Sequence, residues 1–286
     1  VNFGYTLQKI RKNRCMTQAE LTQGIMKQAT YSRIESGQLQ VSAETLFLLV
    51  ERLNISMNEF IYIHHNYSSS PRQKLINAFA KMEIVLPEEV KEQLQSVQAY
   101  LNEQNDRDLL MILYAYQSLL VFGEQNDLQQ VRAIASNVWQ YMQMLDHWYM
   151  NDLDLLNAII LFFPLETAIE VTKIAIKRLD AYDDFDKDLT YLKLYFYLNL
   201  TSLFIEAAQF EECLQLLNTV QQTFKRTLTY QTLGFIYVRK AICKFRLQQC
   251  YKDEIANVKT LMHLFDDPEV LSLLLEEVKM NITDLN

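Results

Sequence analysis

Glycine and proline are scarce in this chain of 286 residues, with five of one and four of the other. Sheet-rich folds need more turn punctuation than that, so the scarcity favours long helices joined by short loops. Cysteine is as sparse: Cys15, Cys213, Cys243 and Cys250 include no Cys-x-x-Cys pair. Such spacing builds neither a disulfide framework nor a zinc site, and it fits thiols kept reduced in a cytoplasm. Cys243 and Cys250 stand two helical turns apart and are placed to share a helix face. No run reaches the roughly 18 uncharged apolar residues of a membrane-spanning helix. The richest, Leu155 to Leu165, reads instead as a buried helix. The start shows no basic segment followed by an apolar one, so no signal peptide is expected.

The equipment of catalysis is also missing. There is no glycine-rich phosphate loop, no His-Glu-x-x-His, and histidine occurs only at 64, 65, 147 and 263. His64 and His65 read as solvated residues rather than as metal ligands. Asp183, Asp184, Asp186 and Asp188 lack the glycine and the closing glutamate of a calcium loop, so they read as a capped turn between helices. No catalytic residue, metal site or cofactor is expected, and an enzyme such as a phosphatase has little support.

What is present is an uneven distribution of charge. The whole chain carries a formal −8, yet Lys9, Arg11, Lys12, Arg14, Lys27 and Arg33 face only Glu20 within residues 1–33, a local balance of +5. Residues 64–286 have a balance of −10. A cationic head on an acidic body concentrates phosphate attraction at one end and discourages the body from sticking to polyanions.

The head reads as five short amphipathic helices. Leu7 and Ile10 share a face of the first. Thr17 and Glu20 form a capping box that opens the second, which runs to about Gly24, with Ala19, Leu21 and Ile25 inward. A third runs from about Gln28 to Ser36 and stops at Gly37. Ser42 caps a fourth carrying Leu46, Leu49, Val50 and Leu53; Ser56 and Glu59 open a fifth with Phe60 and Ile63. Two short helices joined by a turn near residues 24–27 match helix-turn-helix geometry, whose second helix lies in the DNA major groove. On that helix Gln28, Thr30 and Arg33 suit base edges, Arg33 by a bidentate pair with guanine. Arg11, Lys12, Gln18 and Lys27 are placed to hold phosphates on either side. The stretches Thr17–Leu21, Thr30–Gly37, Glu44–Leu46 and Leu53–Phe60 together resemble the lambda-repressor/Xre class of helix-turn-helix domains, continuously from about residue 3 to 63.

Tyr67 to Pro71 is the one small-polar stretch and reads as a linker, giving a DNA-binding domain at 1–66 and a second domain at 72–286. Beyond it apolar-periodic blocks are punctuated at Pro87, 123–127, Pro164, 183–188 and 266–268. Leu198–Phe204, Phe210 and Phe224 align with Arg239–Phe245, Tyr251 and Phe265 at an offset of 41 residues, and hairpins at about 107–142 and 148–180 follow a similar period. Repeated helical hairpins bury their apolar faces on one another as an α-solenoid of tetratricopeptide-like kind. The expected fold is therefore all-α: a five-helix lambda-repressor-like head followed by that solenoid, with a last helix at about 269–282 covering its end or joining a dimer contact.

An Xre-type head, a linker and a long degenerate helical repeat resemble the peptide-sensing regulators of Gram-positive bacteria, nearest the Rgg/MutR type. The stretch from Trp148 through Asn157 to Phe163 is similar to that type's Trp, Leu, Asn, Phe pattern. The resemblance implies a cytoplasmic homodimer that binds an operator in double-stranded DNA through two heads. It also implies a short signalling peptide on the concave face of the body, as in quorum sensing, with no membrane partner. With the hairpin turns set in register, the first helix of each pair presents Tyr116, Gln117, Asn157, Tyr195, Asn199, Arg239 and Lys240 to that face. Asparagine amides both donate to and accept from an extended peptide backbone. Arg239 and Lys240 suit a carboxylate, and Tyr195 and Tyr237 offer apolar rings with a polar tip. The competing reading keeps the head but makes the body a protein-docking scaffold without a peptide ligand.

Overall fold

The structure, a computed structural model, describes residues 2–82, 86–125, 127–185 and 188–282. Asp186 of the aspartate-rich turn lies outside them. Among the described residues all regular structure is helical, and no helix is long and apolar enough to cross a membrane. The chain divides into two compact units, 1–74 and 75–286, the boundary falling inside helix α6 (Pro71–Ala80).

The first unit comprises α1 (Gly4–Asn13), α2 (Gln18–Thr22), α3 (Gln28–Glu35), α4 (Ala43–Arg52) and α5 (Met57–His64). Its caps follow the sequence. The Thr17 hydroxyl accepts from the Glu20 N–H while the Glu20 carboxylate accepts from the Thr17 N–H, satisfying two donors at the start of α2. Ser42 accepts from the Thr45 N–H and Ser56 from the Glu59 N–H. α3 ends because Gly37 takes φ +78°, which lets the Gln38 N–H bond back to the Arg33 carbonyl. Gly4 is needed for a different reason. A Cβ there would stand 1.8 Å from the Ile34 carbonyl oxygen, so only glycine lets α1 approach the end of α3 this closely. The core holds Leu7, Leu21, Tyr31, Ile34, Leu49 and Phe60 among others. Ile25 is half-buried, but Ala19 faces solvent.

The second unit runs through α7 (Pro87–Glu103), α8 (Arg107–Gln125), α9 (Leu128–Gln143), α10 (Met150–Ile159, continued as a 3-10 turn), α11 (Leu165–Asp180) and α12 (Thr190–Glu206). α13 (Phe210–Thr223), α14 (Tyr230–Arg246), α15 (Lys252–Leu264) and α16 (Pro268–Asn281) complete it. Two rows result. α8, α10, α12, α14 and α16 pack in succession, while α9, α13 and α15 each bridge two members of that row and α11 packs on α12. The first row is the more enclosed. In α12, Leu192, Leu194, Phe196, Leu198 and Leu200 are all buried. With 3.6 residues per turn, burial of every second residue wraps most of the helix circumference, as neighbours on several sides require. Cys213 and Cys243 lie buried in one apolar cluster, whereas Cys15 and Cys250 are exposed. Cys250 follows the end of α14 at Arg246, so it does not share a helix face with Cys243.

Candidate functional site

On α3 the inward residues are Tyr31, Ile34 and Glu35, which turns Gln28, Ala29, Ser32, Arg33 and Ser36 outward, with Lys27 at the helix start. Thr30 is half-buried at the edge of this face. Among the described residues Lys12, Lys27 and Arg33 are exposed and enter no ion pair, leaving their donors available. Ala29 and Ser32 belong to the outward face but were not among the sequence candidates. With Tyr31 and Ile34 taken as core, helical periodicity alone places them beside Gln28 and Arg33.

Arg11 and Gln18 are engaged elsewhere. Arg11 is 8% exposed. Its Nε donates to Glu35 Oε1 at 2.7 Å, its Nη2 to Glu35 Oε2 at 3.0 Å and its Nη1 to the Met16 carbonyl at 2.6 Å. Gln18 Nε2 donates to the same Glu35 Oε2 at 2.7 Å. Burial pushes the Glu35 carboxyl up, but hydrogen bonds from Arg11 and Gln18 outweigh it and hold the group below the usual carboxylate range. The Arg11 guanidinium thus ties α1 to the last turn of α3 instead of reaching for phosphate. His64 is also structural rather than solvated: its Nδ1 lies 2.9 Å from the Thr6 hydroxyl and its ring packs edge-on to Phe3.

In the repeat unit the face of interest is the side of the first row turned away from α11 and α13. Tyr197, Leu200 and Phe204 of α12 face those two helices. Tyr195 lies roughly 140–200° around the helix from them. Tyr191, Tyr195 and Asn199 therefore form one stripe at i, i+4 spacing, with the first two rings in edge contact at 5.9 Å. The Asn199 side-chain amide donates to both the carbonyl oxygen and Oδ1 of Asn157 at 3.0 Å, joining α12 to α10. On α14 the matching stripe is Gln231, Phe235 and Arg239, with the guanidinium 5.5 Å from the Phe235 ring centre. Gln117 of α8 is half-exposed.

The remaining candidates lie elsewhere or are occupied. Tyr116 is 1% exposed and packs edge-on against Phe79. Lys240 is buried, donates to Gln221 on α13, and burial holds its ammonium below the ordinary lysine value. Tyr237 is two residues from Arg239, about 200° away around the helix. Arg239 does face the stripe but is already bonded: Nε to Glu277 at 3.0 Å, Nη1 to the Leu198 carbonyl at 2.6 Å and to Thr201 Oγ1 at 2.9 Å. It staples α12, α14 and α16. Tyr191, Phe235 and Glu277 are the residues that sequence reasoning missed here. The first two were within reach through their four-residue spacing from Tyr195 and Arg239.

Residues 88–267 match the family described as HTH-type transcriptional regulator Rgg, C-terminal domain, and residues 7–60 match a helix-turn-helix family. No curated protein matches the sequence. Among solved structures, Bacillus thuringiensis PlcR in complex with the peptide PapR7 and DNA superposes with a TM-score of 0.70 at 19% identity, over 96% of this chain and 98% of that one. The Streptococcus dysgalactiae SHP pheromone receptor Rgg2 gives 0.67 at 14%, over 98% and 100%. ComR from S. thermophilus, in complex with DNA and its signalling peptide ComS, gives 0.63 at 15%, over 98% and 99%. At these identities the likeness is one of fold.

Proposed function

The chain belongs to the Rgg family of HTH-type transcriptional regulators, and from that premise we propose that it is a cytoplasmic homodimer which binds operator DNA through α3 and is switched by a short signalling peptide. The observation that carries the DNA half is the outward face of α3. It combines a guanidinium, Arg33, that enters no ion pair among the described residues with the amide of Gln28, the hydroxyl of Ser32 and the methyl of Ala29. Lys12 and Lys27 remain as exposed cations, unpaired among the described residues, for phosphate. The peptide half rests on the stripe of Tyr191, Tyr195, Asn157 and Asn199. PlcR and ComR, which share the fold, were each solved with a peptide and DNA. A peptide acts as a switch by binding two arrangements of the body with different affinity.

Arg33→Ala is expected to weaken specific binding by about 1–3 kcal/mol, with much less effect on nonspecific DNA. Lys12→Ala and Lys27→Ala should each lower the slope of log K against log salt by about 0.9. Fluorescence anisotropy on an operator selected from random duplexes measures both. Unchanged operator affinity in Arg33→Ala sinks the recognition assignment. The docking-scaffold reading draws support from Arg239, whose bonds to Glu277 and Leu198 leave less of it for a ligand. Calorimetry with short synthetic peptides separates the two, because a scaffold gives no saturable peptide heat.

A further inference from the structure

A cleft of about 560 Å³ runs between α11 and α13, on the side of α12 opposite Tyr195 and Asn199. Leu200 and Phe204 of α12 form its floor, and Ile169, Ile176 and Leu216 stand on its walls. Four of these five are only partly buried, so the cleft presents apolar surface to water. Along α11 its lining extends from Ile169 to Asp180, a length of about 16 Å. Size and lining both suit a small organic ligand: an apolar trough with a few polar groups at fixed places.

Those polar groups are unevenly placed. Helices α11 and α13 both run antiparallel to α12, so Phe204 lies toward Ile169 and Glu212, and Tyr197 toward Lys177 and Asp180. The Tyr197 end is rich in donors. Lys177 borders the cleft, is exposed and enters no ion pair among the described residues, and the Tyr197 hydroxyl has no hydrogen-bond partner among them. Lys173, one turn back on α11, is held by Glu170 in a largely exposed pair, which water weakens. The acid at this end, Asp180, is taken by Lys193. Glu212, in the first turn of α13, is the acid at the far end. About 12 Å of apolar lining separates it from Lys177.

We propose that this cleft binds a free acyl chain that ends in a carboxylate. The carboxylate accepts from Lys177 and Tyr197, and the hydrocarbon lies over Leu200 and Phe204 between Ile169, Ile176 and Leu216. Charge fixes the direction, because a reversed chain sets its carboxylate against Glu212 and leaves Lys177 unmatched. A cationic head at Glu212 finds one acceptor, whereas an anionic head at the other end finds a cation and a phenol. Tyr195 and Asn199 lie on the other side of α12, so the site is separate from the proposed peptide stripe.

Calorimetric titration of the full chain with sodium decanoate, kept below its micelle-forming concentration, tests the proposal. One saturable site is expected, and each methylene added between octanoate and decanoate should tighten it about fourfold. Decanol should bind about tenfold more weakly than decanoate, and decyltrimethylammonium more weakly still. Lys177→Met keeps the aliphatic stem but not the charge, so it should weaken decanoate about tenfold and leave decanol unchanged. Leu216→Glu places an acid beside the tail and should abolish decanoate binding, with helical circular dichroism unchanged because Leu216 is only half-buried. The absence of saturable decanoate binding overturns the proposal. Binding that survives both variants also overturns it, since the fatty acid then sits elsewhere. Equal affinity for decanol, or a preference for the cationic amphiphile, sinks the assignment of a carboxylate head.

Discussion

Replacing Glu35 by alanine is expected to unfold the helix-turn-helix unit at moderate temperature and to abolish operator binding with it. Arg11 would be left with a guanidinium that is almost wholly buried and has only the Met16 carbonyl for company. Removing one partner of a buried ion pair costs about 3–5 kcal/mol. Small domains hold only about 5–15 kcal/mol in all, and one of this size sits toward the lower end. Gln18 and Gln8 also lose the acceptor they share. Replacing both charges by apolar residues, Arg11→Met with Glu35→Leu, should by contrast leave stability near the wild type, since no desolvated charge remains. Thermal unfolding of the full chain, followed at the head by an amide-exchange readout, distinguishes the two variants. Equal destabilisation in both would show that the network contributes by shape and not by charge.

The same pair sets an acid limit. The folded-state pKa of Glu35 is below its unfolded value, so the unfolded chain binds more protons and stability rises with pH through that window. The stabilisation is fully present above the ordinary carboxylate pKa of about 4.3 and is lost as pH falls through the folded value. The Met/Leu double variant should lose this part of the acid dependence.

Most of the head was legible in the sequence because local chemistry there is redundant. Thr17, Ser42 and Ser56 announce helix starts, Gly37 announces a stop, and core spacing agrees with both. The sequence could not say which cations are free. Arg11 and Lys12 are adjacent, and only the fold shows that one points at Glu35 and the other at solvent. In the repeats the limit was register. The aligned blocks share an offset of 41 residues, but α12 and α14 begin 40 residues apart, at Thr190 and Tyr230. The connection after α12 is 207–209 and that after α14 is 247–251, so the offset steps from 40 to 42 on either side of the aligned value. One residue is about 100° around a helix, enough to put Lys240 in place of Arg239 opposite Asn199. Tyr116, next to Gln117, is misplaced by the same single step. The groove was visible as a property of the architecture, and its individual members were not.

Arg239→Ala should loosen α16 on the rest of the repeat unit, leaving it held mainly by the apolar packing of Val270, Leu274 and Val278 on α14 and α15. The guanidinium bonds to α12 through Leu198 and Thr201 and to α16 through Glu277, so its loss removes a link spanning three helices. Glu277 keeps some solvent, which lowers the cost below that of a sealed pair, to about 2–3 kcal/mol. In a solenoid each unit is held mainly by its neighbour, so the loss falls on the end of the stack and not on the whole. Hydrogen exchange should show the α16 amides losing protection while those of α8 and α10 keep theirs. Besides that apolar packing, α16 keeps one other polar tie among the described residues, Asp267 to Tyr230 and Gln231, so Arg239→Ala with Asp267→Ala should loosen the helix further. Arg239→Lys preserves the charge but lacks the planar fork that serves three acceptors at once. If Arg239 mainly captured a ligand carboxylate, lysine would restore peptide binding and α16 protection would never have changed. If it is a staple, lysine restores little of either. Peptide affinity then falls because the stripe on α14 has shifted relative to Asn199, not because a ligand contact was cut.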